Sequence, residues 1–287
     1  MQAENALRNE IDRTADDAGA EAVSVSYYDY ETETAWSYRG DRWFHAASTI
    51  KLAVLAALYA KICEGVYHPR ARLHVRNWFR SVADGKPFRV ASSRDANAEV
   101  HAAVGKTMRL EELARHMIAT SSNLATNLLV DLLTSEGIRE TLKRMDVEGV
   151  DFHRGVEDER AFEAGINNRV TANGLVHLLR AIYGSELFSE ECSRQMVDIL
   201  LQQEFTSGIP AGLPREVRKQ ARIANKTGEI STVAHDAGLV FLPDRKPYAL
   251  AILTQWPPGQ SGRQDAVSDI SGIIYASLTG QDEAHVQ

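Results

Sequence analysis

Ser48-Thr49-Ile50-Lys51-Leu52-Ala53-Val54-Leu55-Ala56-Ala57-Leu58-Tyr59-Ala60-Lys61-Ile62-Cys63 contains the most apolar run of this 287-residue chain, Leu52 to Ala60. No glycine or proline interrupts the stretch until Gly65. Its apolar residues would fall on every face of a helix, and such a helix is buried on most sides. The run is shorter than the roughly 18 apolar residues of a membrane span. It therefore predicts a core helix over about Ser48 to Cys63, closed by Gly65. A lysine, Lys51, stands at the buried start of that helix. Burying a charge is costly, so a lysine there needs a chemical reason.

Ser48 supplies one. It lies three positions before Lys51, and it is the only serine in the chain with Lys at that spacing. Residues i and i+3 share a helix face. A desolvated amine can lose its charge and accept a hydroxyl proton, and the free N–H groups of a helix start favour a developing negative charge.

Working outward, the N-terminal side predicts a helix over about Glu4 to Ala18. An antiparallel hairpin follows, with strands Ala22 to Tyr30 and Ala35 to Arg39. From about Val66 to Leu213 the pattern is mainly helical, clearest at Leu110 to Ile118, Asn123 to Leu133, Thr171 to Ile182 and Glu190 to Gln202. The polar stretch Ser81 to Pro87 reads as a surface insertion. Strands return at Arg222 to Thr227, Ala237 to Leu242 and Tyr248 to Thr254, before a closing helix over about Gln264 to Leu278. This order predicts an α+β fold. Five strands from the two chain ends form one antiparallel sheet flanked by N- and C-terminal helices, and the middle forms an all-helical lobe. The expected division is a discontinuous sheet domain, 1–68 and 213–287, and a helical domain, 69–212, with the active site between them.

Two further motifs fall at predicted element junctions. Ser121-Ser122-Asn123 sits where one helix ends and the next begins. Lys226-Thr227-Gly228 ends a predicted strand, where a glycine permits close backbone approach. The order Ser-x-x-Lys, Ser-x-Asn, Lys-Thr-Gly is far more specific than any member alone.

On these residues the chain resembles class A β-lactamases and related penicillin-binding serine hydrolases, over nearly its whole length. Phe44 before the serine and the run Ser121 to Leu129 add to the likeness. The resemblance implies Ser48 as nucleophile, Lys51 as its proton acceptor and Ser121 as a proton relay to the leaving nitrogen. It implies backbone N–H groups of Ser48 and Glu229 as an oxyanion hole. Asn123, Lys226, Thr227 and Gly228 would bind the substrate, a β-lactam or an acyl-D-Ala-D-Ala-like peptide. Slow deacylation, as in a peptidase, amidase or esterase of the same type, is the alternative.

Three departures stand out. Ser122 replaces the family's Asp. The loop Arg154 to Val170 is short for the family. It carries Glu157, Asp158, Glu159 and Glu163, of which Glu163 with Asn167 reproduces the Glu-x-x-x-Asn spacing of a deacylating glutamate. The strand after Lys226-Thr227-Gly228 carries His235 and Asp236 rather than an evident arginine for a substrate carboxylate.

Composition excludes other classes. Hydrophobic residues are 44%, charged residues 25%, and the net charge is −7. No basic patch suggests nucleic acid. The nine histidines form no HExxH, HxH or Cys/His cluster, so no metal and no cofactor is expected. Cys63 and Cys192 form no CxxC. Two buried free thiols are the simplest expectation and a single disulfide the alternative. The first residues, Met1 to Arg8, show no signal peptide. The expectation is a cytoplasmic monomer, or a periplasmic or secreted one whose leader has been removed.

Overall fold

Strands from the two ends of the chain pair into one sheet, as the sequence pattern predicts. The computed structural model describes residues 2–184 and 187–280. The N-terminal elements are α1 (Gln2–Ala18), β1 (Ala22–Asp29), β2 (Thr34–Tyr38), β3 (Phe44–His45), a 3-10 turn (Ala47–Ile50) and α2 (Lys51–Cys63). The middle holds β4 (Arg72–His74), β5 (Phe79–Arg80), β6 (Pro87–Phe88), a 3-10 turn (Ser92–Arg94), α3 (Ala98–Ala102), β7 (Thr107–Arg109), α4 (Leu110–Ala119), α5 (Asn123–Leu133) and α6 (Ser135–Arg144). Then come β8 (Val150–Asp151), α7 (Glu159–Glu163), β9 (Arg169–Val170), α8 (Ala172–Gly184) and α9 (Glu190–Leu200). The chain closes with α10 (Ile209–Gly212), α11 (Arg215–Arg218), β10 (Arg222–Ile230), β11 (Val233–Phe241), β12 (Tyr248–Gln255) and α12 (Arg263–Thr279).

Two units emerge. The first comprises Met1–Thr49, Thr171–Leu179 and Phe205–Gln287; the second comprises Ile50–Val170 and Arg180–Glu204. This division differs from the expected one: α2 groups with the helical unit, and the start of α8 groups with the sheet.

The first unit holds the five-stranded antiparallel sheet, in the order β10-β11-β12-β1-β2. Its centre pairs Ala22 with Gln255 and Asp29 with Tyr248, so the chain's two ends are zipped together. Leu7, Ile11 and Ala15, each four apart, put one face of α1 on the sheet. Val267, Ile270 and Ile274 do the same for α12. They meet Val23 and Val25 of β1 and Leu250 and Ile252 of β12, which alternate along their strands as the pleat requires.

The second unit is built around α2. Every residue from Lys51 to Ala60 is buried, and α4, α5, α6 and α9 pack around it. The helix ends where Gly65 takes φ +72, with its N–H on Ile62 O at 3.0 Å and the Val66 N–H on Lys61 O at 2.9 Å. The unit is not all helical, contrary to expectation. Three two-stranded antiparallel ladders, β4/β7, β5/β6 and β8/β9, lie in it. Alternation over two or three residues is too short to register as a strand pattern. The expected insertion at Ser81 to Pro87 is the turn of the β5/β6 hairpin, tied down by the Val82 N–H to Asp158 Oδ2 at 3.0 Å. The helix α6 was not anticipated. It starts at Thr134, whose hydroxyl accepts the Gly137 N–H.

The expectation of free thiols is corrected. Cys63 at the end of α2 and Cys192 in α9 form a disulfide. Their separation of 129 residues leaves no spacing signal in the sequence. Among the described residues, no helix is long and apolar enough to cross a membrane, and no cluster of His, Cys, Asp and Glu could hold a metal ion.

Candidate active site

Within the sheet unit, Ser48 lies on the 3-10 turn Ala47–Ile50 rather than on the α-helix that the sequence predicts. Ala47 enters this turn at φ +45, a left-handed conformation that costs a non-glycine residue about 1 kcal/mol or more. The Thr49 N–H and hydroxyl both donate to Ala46 O, at 3.1 and 2.6 Å, and lock the turn.

The edge strand β10 passes directly over this turn. A Cβ on Gly228 would stand 3.0 Å from Thr49 N and 3.1 Å from Ser48 N. A side chain there would press on the backbone of Ser48 and Thr49, which would have to give by a few tenths of an ångström, so glycine suits this crossing. Because β10 lies at the sheet edge, half of its N–H and C=O groups point away from β11. Lys226, Thr227, Gly228 and Glu229 are thereby strung along the rim beside Ser48.

Lys226 is fully buried and donates to Thr227 O at 2.9 Å. Burial pulls its pKa down to about 7, and the carboxylate of Asp236 opposes the shift. Asp236 accepts the Ile209 N–H at 2.8 Å and the Asn225 amide at 2.9 and 3.0 Å, while burial lifts its pKa to about 6. His235 is buried edge-on to Phe44, bonded through Nε2 to His45 O at 3.0 Å and through Nδ1 to the Thr254 N–H at 3.2 Å. Burial drops its pKa to about 4, so it is neutral and cannot replace an arginine as a carboxylate ligand. Glu229 reaches outward instead, to Arg263 Nη2 at 2.6 Å and Gln264 Nε2 at 3.2 Å.

Within the helical unit, Lys51 opens α2 with its side chain out of water. Its Nζ lies 2.7 Å from Ser121 O, 3.0 Å from Ser121 Oγ and 2.8 Å from Asn123 Oδ1. The Ser121-Ser122-Asn123 motif thus forms its cradle. Ser121 takes φ +56, and the reversal presents both its carbonyl and its hydroxyl to the amine. Ser122 caps α5, accepting the Ala125 N–H at 3.2 Å.

The carboxylate expected in the middle of that motif is supplied from elsewhere. Asp95 Oδ2 accepts the Leu124 N–H at 2.9 Å and the Ser122 hydroxyl at 3.2 Å. Its Oδ1 takes the Asn97 N–H at 3.1 Å. A fully buried carboxylate side chain thus sits at the N-terminus of α5, where the helix dipole favours it. Nothing in the sequence marks Asp95 for this task.

The loop Arg154 to Val170 is laced together by amides. Asn168 Oδ1 accepts the His153 and Arg154 N–H groups at 2.7 and 3.1 Å, and its amide donates to Arg154 O at 2.8 Å. Arg154 spans the loop to Ile166 O at 2.7 Å and Asn167 Oδ1 at 2.8 Å. Asn127 clamps Val156 at both its N–H and C=O, each at 2.8 Å. A side chain at Gly155 would strike that clamp, with Asn127 Oδ1 only 2.5 Å from its Cβ position.

The clamp throws Glu157 toward the Lys51 cradle. At φ +60, Glu157 accepts the Asn123 amide at Oε1 (3.2 Å) and forms an ion pair through Oε2 with Arg94 Nε (2.9 Å). Burial raises its pKa, while Arg94 and Lys51 pull it back. Glu163 is placed differently. It is exposed on α7, it lines a cleft with Arg94, Glu157 and Arg160, and among the described residues no hydrogen bond or ion pair joins it to Lys51, Ser121 or Asn123. The Glu-x-x-x-Asn spacing pointed to Glu163 because it fixes distance along the chain and is blind to a left-handed residue that redirects a side chain.

Comparison with known proteins agrees with this geometry. The model of the beta-lactamase enzyme family matches residues 5–278. A beta-lactamase of Rhodobacter capsulatus is 31% identical over 283 residues, covering 94% of this chain and 88% of the relative. A beta-lactamase of Bacteroides uniformis is 27% identical over 184 residues, so the matched segment spans 61% of that relative's length and 60% of this chain. The solved class A beta-lactamase of Mycobacterium abscessus superposes with a TM-score of 0.81 at 18% identity, over 95% of this chain and 99% of that one, and so shares the fold. A family model that matches nearly end to end and a full-length relative point the same way: the chain belongs to the beta-lactamase enzyme family.

Proposed function

We propose that the protein is a serine hydrolase that opens the amide of a β-lactam through an acyl-enzyme on Ser48. The observation that carries this reading is the Lys51 cradle. Two of its contacts, Ser121 O and Asn123 Oδ1, are pure acceptors and need two N–H donors. Another, the Ser121 hydroxyl, can accept from an ammonium or donate to a neutral amine. The same geometry therefore holds Lys51 before and after it gains a proton, as a group that takes the Ser48 proton and passes it on requires.

In this reading Ser48 Oγ attacks the acyl carbonyl and Lys51 takes its proton. The tetrahedral oxyanion is held by the N–H groups of Ser48 and Glu229, on the turn and the strand that Gly228 brings together. Ser121 relays the proton to the leaving nitrogen. Asn123 holds the substrate's amide, while Lys226 and the Thr227 hydroxyl hold its carboxylate. Glu157, rather than Glu163, is the base that activates water against the acyl-enzyme. Burial raises its proton affinity, the direction a general base needs. The reaction needs no cofactor, and every residue invoked comes from one chain, so the monomer suffices. The disulfide Cys63–Cys192 favours an oxidising compartment, periplasmic or extracellular, over the cytoplasm.

A second reading rests on the same carboxylate. Both oxygens of Glu157 already hold protein donors. These partners hold the carboxylate in place and leave lone pairs free, and if none of these is turned toward the acyl-enzyme the enzyme acylates and stalls, as a peptidase would with a β-lactam. Turnover of a chromogenic cephalosporin and labelling by a fluorescent penicillin separate the two readings. Sustained turnover that Ser48→Ala abolishes, and that Glu157→Gln cuts about 100-fold or more while Glu163→Gln leaves largely intact, supports the first. A stable adduct on Ser48 without turnover supports the second. No labelling at all overturns both.

A further inference from the structure

Arg94 lies outside all three motifs, yet it touches this site twice. Its backbone carbonyl accepts the Asn123 amide at 3.0 Å, and its guanidinium Nε meets Glu157 Oε2 at 2.9 Å. A second fork of the guanidinium binds Glu159. Asn123 donates from one nitrogen to both Arg94 O and Glu157 Oε1, while its Oδ1 takes the Lys51 ammonium. Arg94, Asn123, Glu157 and Lys51 thus form one connected network. The guanidinium is rigid and planar, so with Nη1 on Glu159 its Nε is fixed beside one oxygen of Glu157 as an ion pair.

We propose that Arg94 is a positioning residue for deacylation: its guanidinium holds the Glu157 carboxylate turned toward the Lys51–Asn123 cradle and ionised, so that the base is ready when the acyl-enzyme forms. The proposal rests on Glu157 being that base. Glu157 stands at φ +60 at the start of a loop, where its own backbone offers no restraint on the side chain beyond the Asn127 clamp one residue earlier. The charges that face it are Arg94 from the Ser92–Arg94 turn, Lys51 from α2, and the carboxylates of Glu159 and Asp95. Arg94 and Lys51 favour the ionised form; burial, Glu159 and Asp95 oppose it. Lys51 changes its proton count during the reaction, which leaves Arg94 as the constant cation of the set.

The sign follows directly. Removing the guanidinium lets burial dominate, so Glu157 binds its proton more tightly and the acid limb of deacylation moves to higher pH. For Arg94→Ala, the deacylation rate measured on the preformed acyl-enzyme is expected to fall by a clearly larger factor at pH 5.5 than at pH 8. The rate of acylation should fall less than that of deacylation. Arg94→Lys, which restores the charge without the fork, should return the acid limb toward its original position and leave the high-pH rate below that of the parent. An Arg94→Ala profile that drops equally at every pH, or does not drop, overturns the proposal. Glu157→Gln is run in parallel. If it deacylates normally, the assignment of the base itself fails; if it stalls while the acid limb of Arg94→Ala stays put, only the role of Arg94 fails.

Discussion

Two lysines of the site are stripped of water, and their surroundings treat the charge differently. Lys51 is held by Ser121 and Asn123, whereas Lys226 donates to Thr227 O and draws its electrostatic support from Asp236. Burial pulls the Lys226 pKa from 10.5 to about 7, so the cation is half lost near neutral pH. If Lys226 attracts the substrate carboxylate, kcat/KM for an anionic β-lactam falls as pH rises, with a basic limb near 7. Asp236→Asn removes the charge that favours the cation and moves this limb to lower pH. A neutral ester substrate should show neither effect. A basic limb that stays in place in Asp236→Asn would remove Lys226 from substrate binding. Lys51 was legible in the sequence because a cation at the start of an apolar run is anomalous, and Lys226 because it opens Lys-Thr-Gly at a strand end. Asp95 and Arg94 were not, since a polar turn such as Ser92-Ser93-Arg94-Asp95 looks like ordinary surface.

At the scale of elements, the strong periodic signals held. Of the helices around α2, α4, α5 and α9 were readable and α6 was not; the five sheet strands were readable because their patterns repeat along each element. The details missed were those decided by contacts distant in sequence. The expected strand over Ala237 to Leu242 actually begins at Val233, since His235 and Asp236 are polar yet buried and bonded. The disulfide is the largest such miss. It ties the end of α2 to α9 across 129 residues, and closing a loop of that size restricts the unfolded chain strongly. The Cys63→Ser/Cys192→Ser double variant is expected to lose about 2–5 kcal/mol. Its Tm should drop by roughly 5–15 °C, at 2–4 °C per kcal/mol for a protein of this size. Penicillin labelling of the folded variant should persist, because neither cysteine touches the Lys51 cradle. An unchanged Tm, or free thiols in the unreduced parent protein, would count against the bridge.

At the scale of the whole molecule, the topology sets how the protein must fold. The sheet unit draws on three separate segments, and its central ladder pairs Ala22 with Gln255. Neither β1 nor β12 can bury its apolar face until the other arrives, and the helical unit lies between them in sequence. The helices of that unit are local and can form early. Sheet closure must wait for contacts of very high sequence separation, whose loop entropy is lost before any pairing compensates it. Ser48 depends on that closure, since the turn that carries it meets Gly228 only when β10 has docked. Refolding of the disulfide-intact chain from urea should therefore split in time. Far-UV helical signal is expected within milliseconds, whereas near-UV signal and the competence of Ser48 to be labelled by a fluorescent penicillin should appear together over seconds or longer. Labelling that matures with the helical signal, ahead of the near-UV change, would mean that the Ser48 turn forms without the sheet edge and that Gly228 is not what completes it.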